Sequence, residues 1–235
     1  MSIPILNKSD KRTKKHSFSY GQIAQDEFVN EVLDIDDGFF LDIGSGIGGL
    51  DPKRVLPYYM SNTYGFEKFR RWQGIAIDYD ERYIDEAKKF RSCSTICADL
   101  MKTSINDVLK QNNAPRKIDY LSFDVDDAQR TVFDNLDFST YTFKVVTFEH
   151  NLYTAFDYTT LEVDKELIDF YLESRHKFKN LGYRLLFGNV SPPNFECPFE
   201  DWYVNEEIFN RYGHIASENI TSVEAIHKVR NATRL

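Results

Sequence analysis

Long apolar runs are missing from this chain. No stretch of about 18 apolar residues occurs, so nothing in it reads as a membrane span. The N-terminus has no continuous apolar segment of the kind a secretory signal needs, and none is expected. Cysteine is scarce and odd in number: Cys93, Cys97 and Cys197. That argues against a disulfide framework, and the CxxxC pair has no second pair of ligands to make a zinc site. The three read as reduced, partly buried thiols of a cytoplasmic protein. Positive charge is also in short supply, with a net charge of −8. A broad basic face for nucleic acid is thereby disfavoured. The exception is the basic stretch NKSDKRTKKHS at 7–17, a solvated tail or a grip on an anionic substrate. Residues 1–17 are read as that tail and 18–235 as one domain.

What is present is a folded composition, 42% hydrophobic and 15% aromatic. Short apolar runs recur: FFLDI (39–43), GIAIDY (74–79), STICADL (94–100), DYLSFDV (119–125) and KVVTFEH (144–150). Such runs suit buried strands of a parallel sheet. Helical patterns lie between them. DERYIDEAKKF (80–90) has Asp80 as N-cap and Tyr83, Ile84, Ala87 and Phe90 on one face. Segments 103–111 and 127–136 read the same way, and 164–183 is a long helix ended by Gly182. A helix over 20–34 precedes the first strand, with Ile23, Phe28, Val32 and Leu33 toward the sheet. Strand–helix alternation implies a doubly wound, Rossmann-like α/β sheet. YRLLFGNV (183–190) and FEDWYVN (199–205) read as a hairpin that adds an antiparallel edge strand. Residues 223–230 read as a terminal helix that packs on the domain or on a second subunit, so a homo-oligomer stays open.

Each apolar run stops in an acid: Asp42, Asp78, Asp99, Asp124 and Glu149. In open α/β sheets ligands bind outside the carboxyl ends of the strands. One acid there is most often a cap or turn residue; five in succession mark a ligand that brings donors and positive charge. S-adenosylmethionine has an ammonium, a sulfonium, a ribose diol and an adenine amine, and no phosphate. In this reading the Gly44-Ser45-Gly46 turn lets the backbone approach its methionine part. Asp42 supports the turn and favours the ammonium. Asp78, with Tyr79 beside it, accepts the ribose hydroxyls, and Asp99 accepts the adenine amine while Leu100 packs on the ring. Gly44-x-Gly46-x-x-Gly49 also matches a dinucleotide fingerprint, which keeps a nicotinamide dehydrogenase as a competitor. Its ribose acid belongs about 20 residues on, whereas Asp78 lies 36 residues beyond Asp42.

With these residues in place, the chain resembles the FkbM-type methyltransferases, a family of class I S-adenosylmethionine-dependent enzymes. The likeness is carried in order by GQIAQDEFV, GFFLDIGSGIGG, SNTYGFEKFRRWQGIAIDYD, IDYLSFDVDDAQ, VVTFEHN and FEDWYVN. The departures are GLDPKRVLPYYM (49–60), Asp126-Asp127 and Gln129, on the expected substrate side. The resemblance implies O-methylation of a hydroxyl, most often on a sugar or natural product. It also implies that Asn62 and Thr63 help to hold the cofactor.

A hydroxyl acceptor needs a base as the new bond forms. His150, after the fifth strand and next to Glu149, is the first candidate; the alternative is a hydrogen-bonded structural histidine. Asp124 is the second, with cofactor or loop support as its alternative. Asp124, Asp126 and Asp127 suggest Mg²⁺, yet the last two equally begin a helix, where acids favour the dipole. The helix start is preferred and no essential metal is expected. Glu149, Tyr58 and Trp202 are candidate acceptor contacts; surface packing explains Tyr58 and a core strand explains Trp202 as well. Four readings follow: a sugar or glycan O-methyltransferase, a methyltransferase for a lipid, polyketide or other small molecule, a silent cofactor-binding module, and a dehydrogenase.

Overall fold

The structure is a computed structural model that describes residues 18–46, 60–157, 159–195 and 197–233. The basic stretch 7–17 and most of the divergent 49–60 segment, including Tyr58, lie outside the described residues.

The apolar runs form the strands expected of them. β1 (Phe39–Ile43), β2 (Gln73–Asp78), β3 (Ser94–Cys97), β4 (Lys117–Phe123) and β5 (Thr142–Glu149) are all parallel. The helices between them are α2 (Tyr64–Arg70), α3 (Glu81–Ala87), α4 (Ile105–Gln111) and α5 (Gln129–Asn135), and α1 (Gln25–Leu33) precedes β1. Asp80 caps α3 by accepting from the Arg82 amide, and Ser104 caps α4 in the same way from Asp107. Only Ile84 of α3 is buried, so the apolar face expected there is narrower than the sequence suggested; Phe90 is exposed. A two-stranded hairpin, β6 (Phe156–Asp157) with β7 (Glu162–Val163), leads into α6 (Lys165–Asn180). Gly182, at φ +86°, turns the chain out of that helix.

β8 (Arg184–Val190) and β9 (Glu200–Val204) form the anticipated hairpin. The sheet order is β10-β8-β9-β5-β4-β1-β2-β3, with β10 at Ser217–Glu218. The sheet is mostly parallel with an antiparallel part, but β9 is not its rim. It is inserted between β5 and β8, and every residue in it is buried. α7 (Glu206–Tyr212) and α8 (Ser222–Ala232) complete the chain. Ala225, Ile226 and Val229 of α8 are buried in the protein's own core, beside α1 and β8, which answers where the terminal helix packs.

Both faces of the sheet are covered. On one, Phe28 of α1 stacks on Trp202 with ring centres 4.4 Å apart; on the other, Phe178 of α6 stacks on Tyr203 at 4.2 Å. Adjacent strand residues point to opposite faces, so this dipeptide spikes both cores. Trp202 is fully buried and donates its indole N–H to Glu200 at 2.7 Å. That places Trp202 in the core rather than at an acceptor platform. All three cysteines are free; Cys93 and Cys197 are half-buried as expected, but Cys97 is exposed.

Candidate active site

The order of strands reverses between β1 and β4, and a crevice opens there at their carboxyl ends. Its floor is the turn after β1. The Gly44 and Ser45 amides both donate to the Ile77 carbonyl, at 2.9 and 3.0 Å, which ties the turn to β2. Gly44 sits at φ +79°, and a Cβ on it would lie 1.4 Å from the Asp124 carbonyl oxygen. Gly46 donates its N–H to Asp78 at 2.8 Å, and a Cβ there would stand 2.4 Å from the same carboxylate oxygen. Backbone excludes any side chain at Gly44, and at Gly46 a side chain would have to displace the Asp78 carboxylate, which explains both glycines.

A cavity of about 740 Å³ rises from this turn, within the range of small-molecule sites. Gly44, Gly46, Asp78, Tyr79, Asp99, Leu100, Asp124 and Glu149 line it, all expected from the sequence. Asp42, Asn62, Thr63, His150 and Trp202 are not among its lining residues. Ser45 is not either; it joins the two lining glycines. Tyr58 lies outside the described residues. Sequence reasoning missed Gln22, Met60, Tyr83, Tyr153 and Phe199, which also line the cavity. The sequence pattern places Tyr83 only on the apolar face of α3, not at the cavity. The only forewarning for Tyr153 was its closeness to Glu149 in the chain.

The electrostatics are one-sided. Asp78, Asp99, Asp124, Asp126, Asp127 and Glu149 face the cavity, and none of the described lining residues is Lys, Arg or His. Asp78 accepts from the Gly46 and Asp80 amides, one on each oxygen, at 2.8 Å. Each oxygen keeps a second lone pair, a geometry that suits a diol. Asp99 pairs with Lys102 at 2.7 Å, which holds its carboxyl below the usual range. Asp124 and Glu149 bring carboxyl oxygens within 4.8 Å of each other. Burial raises both, and because two adjacent carboxylates do not both ionise readily, the pair holds a proton near neutrality. Glu149 is raised further, since the charges of Asp124 and Glu200 add to its burial. Tyr153 donates its hydroxyl to Glu149 at 3.4 Å and stacks on Phe199 with ring centres 5.0 Å apart. Asp124, Asp126 and Glu149 also bring one oxygen each within 4.8 Å of one another.

Asp42 lies under the turn, only 2% exposed. It accepts from the Thr63 hydroxyl at 2.6 Å. Arg91, unremarked in the sequence, donates to that hydroxyl at 2.7 Å and to Glu67 at 2.8 Å. Asn62 donates to Ser122 at 3.0 Å. Thus Asp42, Asn62 and Thr63 form a buried shell beneath the cavity and not its wall. His150 is fully buried as well. Its ring meets the edge of Tyr171 at 4.9 Å, its Nδ1 accepts from the Leu152 amide, and its Nε2 stands 3.7 Å from Asp201. The expectation that His150 reaches the crevice is corrected: Glu149 turns toward the cavity, and its neighbour turns the other way.

Six acids and two side-chain-free turn positions suit a cationic nucleoside and repel a diphosphate. A Rossmann-like sheet with that crevice defines a class I S-adenosylmethionine-dependent methyltransferase. The sequence matches the methyltransferase FkbM domain over residues 64–185, just over half of the chain, and the chain belongs to that family. The fold is similar to that of a TehB-like S-adenosylmethionine-dependent methyltransferase from Corynebacterium glutamicum (15% identity, 77% of this chain and 86% of that one, TM-score 0.44). It is also similar to a precorrin-6y C5,15-methyltransferase from Geobacter metallireducens (12% identity, 82% and 93%, TM-score 0.44). A third is a Thiobacillus denitrificans S-adenosylmethionine-dependent methyltransferase in complex with S-adenosyl-L-homocysteine (12%, 71% and 66%, TM-score 0.40). Likenesses this distant say nothing about the acceptor. No curated protein matches the sequence.

Proposed function

We propose that this methyltransferase transfers its methyl group to a hydroxyl of a sugar or glycan, with Asp124 as the base. The observation that carries the reading is the adjacent Asp124–Glu149 carboxyl pair opening into the cavity beside Tyr153. When bound, S-adenosylmethionine supplies an electrophilic methyl group on a sulfonium. The Gly44–Gly46 turn, Asp78, Tyr79, Asp99 and Leu100 hold it in this reading. Positioning of the acceptor oxygen in line supplies much of the acceleration. Glu149 keeps the shared proton and stays neutral, which leaves Asp124 ionised and able to take the acceptor proton. The Tyr153 hydroxyl satisfies Glu149, and the Tyr153–Phe199 stack offers a flat apolar wall to one face of a sugar ring. The acid lining disfavours a strongly anionic acceptor.

His150 then supports the end of β5 from behind. A cytoplasmic setting is consistent with the three free thiols. Among the described residues no helix is long and apolar enough to cross a membrane. A second reading, an acceptor with an apolar part, is favoured by Leu161 and Val163, exposed on the hairpin that follows Tyr153.

The test is transfer of a labelled methyl group to a panel of neutral glycans, anionic sugars and apolar alcohols. Methylation of neutral glycans alone supports the proposal. Transfer to apolar alcohols alone favours the second reading. Cofactor binding with no transfer to any acceptor in the panel points to a silent module.

A further inference from the structure

The buried shell under the cofactor turn has a fixed polarity. The Arg91 side chain is 3% exposed and that of Glu67 4%. The guanidinium spends each nitrogen on a separate partner: Nε on Glu67 at 2.8 Å, one terminal nitrogen on the Ser61 hydroxyl at 3.2 Å, the other on Thr63 at 2.7 Å. Arginine only donates. The Thr63 oxygen therefore accepts from Arg91, and its single proton points the other way, along the 2.6 Å contact to Asp42. Asp42 must accept on that oxygen. A donor-only cation behind a hydroxyl thus orders the hydrogen bond in front of it.

Asp42 needs such help. Burial raises its carboxyl on balance, and Arg91 is the largest influence opposing that rise, ahead of the Thr63 and Ser122 hydroxyls. Asp78 opposes ionisation from the far side of the turn. None of the described lining residues is a cation that could supply the counterforce.

We propose that Arg91 is a positioning residue for the cofactor: acting through Thr63, it holds Asp42 as a charged acceptor beneath the Gly44–Gly46 turn. The proposal rests on S-adenosylmethionine as the cofactor, and the Asp42 charge then favours its cationic methionine end through a dry, poorly screened layer of protein.

The test reads the Asp42 carboxyl directly in the ligand-free protein at pH 7 by carbon-13 NMR, assigned with Asp42→Asn. It also measures the Kd of S-adenosylmethionine and S-adenosylhomocysteine by calorimetry. The parent and Arg91→Lys are expected to show an ionised Asp42. Thr63→Val and Arg91→Met are expected to show a protonated one and to bind both ligands about tenfold more weakly. Should Arg91→Met leave Glu67 stranded and unfold the protein, Arg91→Met with Glu67→Met removes the whole ion pair and carries the same expectation. An ionised Asp42 in the folded Thr63→Val and double variants, with Kd within twofold of the parent, overturns the proposal. So does a protonated Asp42 in the parent. If the parent binds neither ligand, the cofactor reading fails, while the carboxyl signal still decides what Arg91 does to Asp42.

Discussion

A single methyl group separates a working turn from a blocked one at Gly46. Its Cβ would press on the Asp78 oxygen at 2.4 Å, a side chain that has some room to turn. Gly46→Ala is therefore expected to fold and to bind S-adenosylhomocysteine at least about tenfold more weakly, as calorimetry would show. Gly44→Ala meets backbone at 1.4 Å and should fail to accumulate as folded protein. At the reacting end, Asp124→Asn is expected to lower kcat by about 10²–10⁴ while cofactor affinity changes little. His150→Ala should do the reverse. It opens a hole in a fully buried site and costs about 2–3 kcal/mol of stability, with kcat within about fivefold of the parent at a temperature where both are folded. Equal loss of turnover in the two variants, measured with an acceptor from the panel, would sink the assignment to Asp124.

Elements decide which of these residues meet. β9 was legible as a strand, yet its place was not, because one hairpin pattern serves an edge or an interior position equally well. Its burial on both faces follows from α1 covering one side and α6 the other. Trp202→Ala is accordingly a core lesion, expected to cost about 3–5 kcal/mol. Chemical denaturation should show that loss with no selective effect on KM. α8 is closed by a reciprocal cap. The Thr221 hydroxyl accepts from the Glu224 amide, and the Glu224 carboxylate accepts from the Thr221 amide. Thr221→Ala should cost about 1 kcal/mol, a fall in Tm of roughly 2–4 °C for a chain of this size. α7 and the β6–β7 hairpin escaped sequence reasoning, being short elements whose apolar pattern covers too few positions to stand out.

The whole molecule carries an unusual load of buried carboxyl groups, and its stability must depend on pH in a definite sense. Burial pushes Asp26 up to about 7 and Glu200 up to about 8, from ordinary values of 3.8 and 4.5. Between those limits the folded chain binds more protons than the unfolded one, so stability falls as pH rises. The contribution is whole below the ordinary values and is lost once pH passes the folded ones. At the acid end Asp201 works the other way. Against its burial, His150 and Arg175 hold it well below the ordinary range, so its contribution is lost when it protonates. Tm is expected to peak at about pH 4, at the ordinary carboxylate values, and to decline from there to about pH 9 in a scanning calorimeter. A flat or rising profile over that interval would contradict the assignment. Turnover should run opposite on its acid side. Asp124 must be ionised to act as base, and its raised pKa moves the acid limb of kcat above the usual carboxylate range.

By itself the sequence determined the parallel strands, the acids that end them and the phosphate-averse turn between them. Those depend on apolar runs, on glycine and on the residue next along the chain, and all are local. Only the tertiary structure decided that Glu149 faces the cavity while His150 faces Asp201. At a strand end, successive side chains take opposite sides, and the elements packed beyond determine which side is the site. It alone brought Arg91, from the segment after α3, behind Thr63 and Asp42, since no spacing rule relates three separate segments. It alone sent Trp202 inward, because a pleated strand with both faces covered leaves no side chain for solvent.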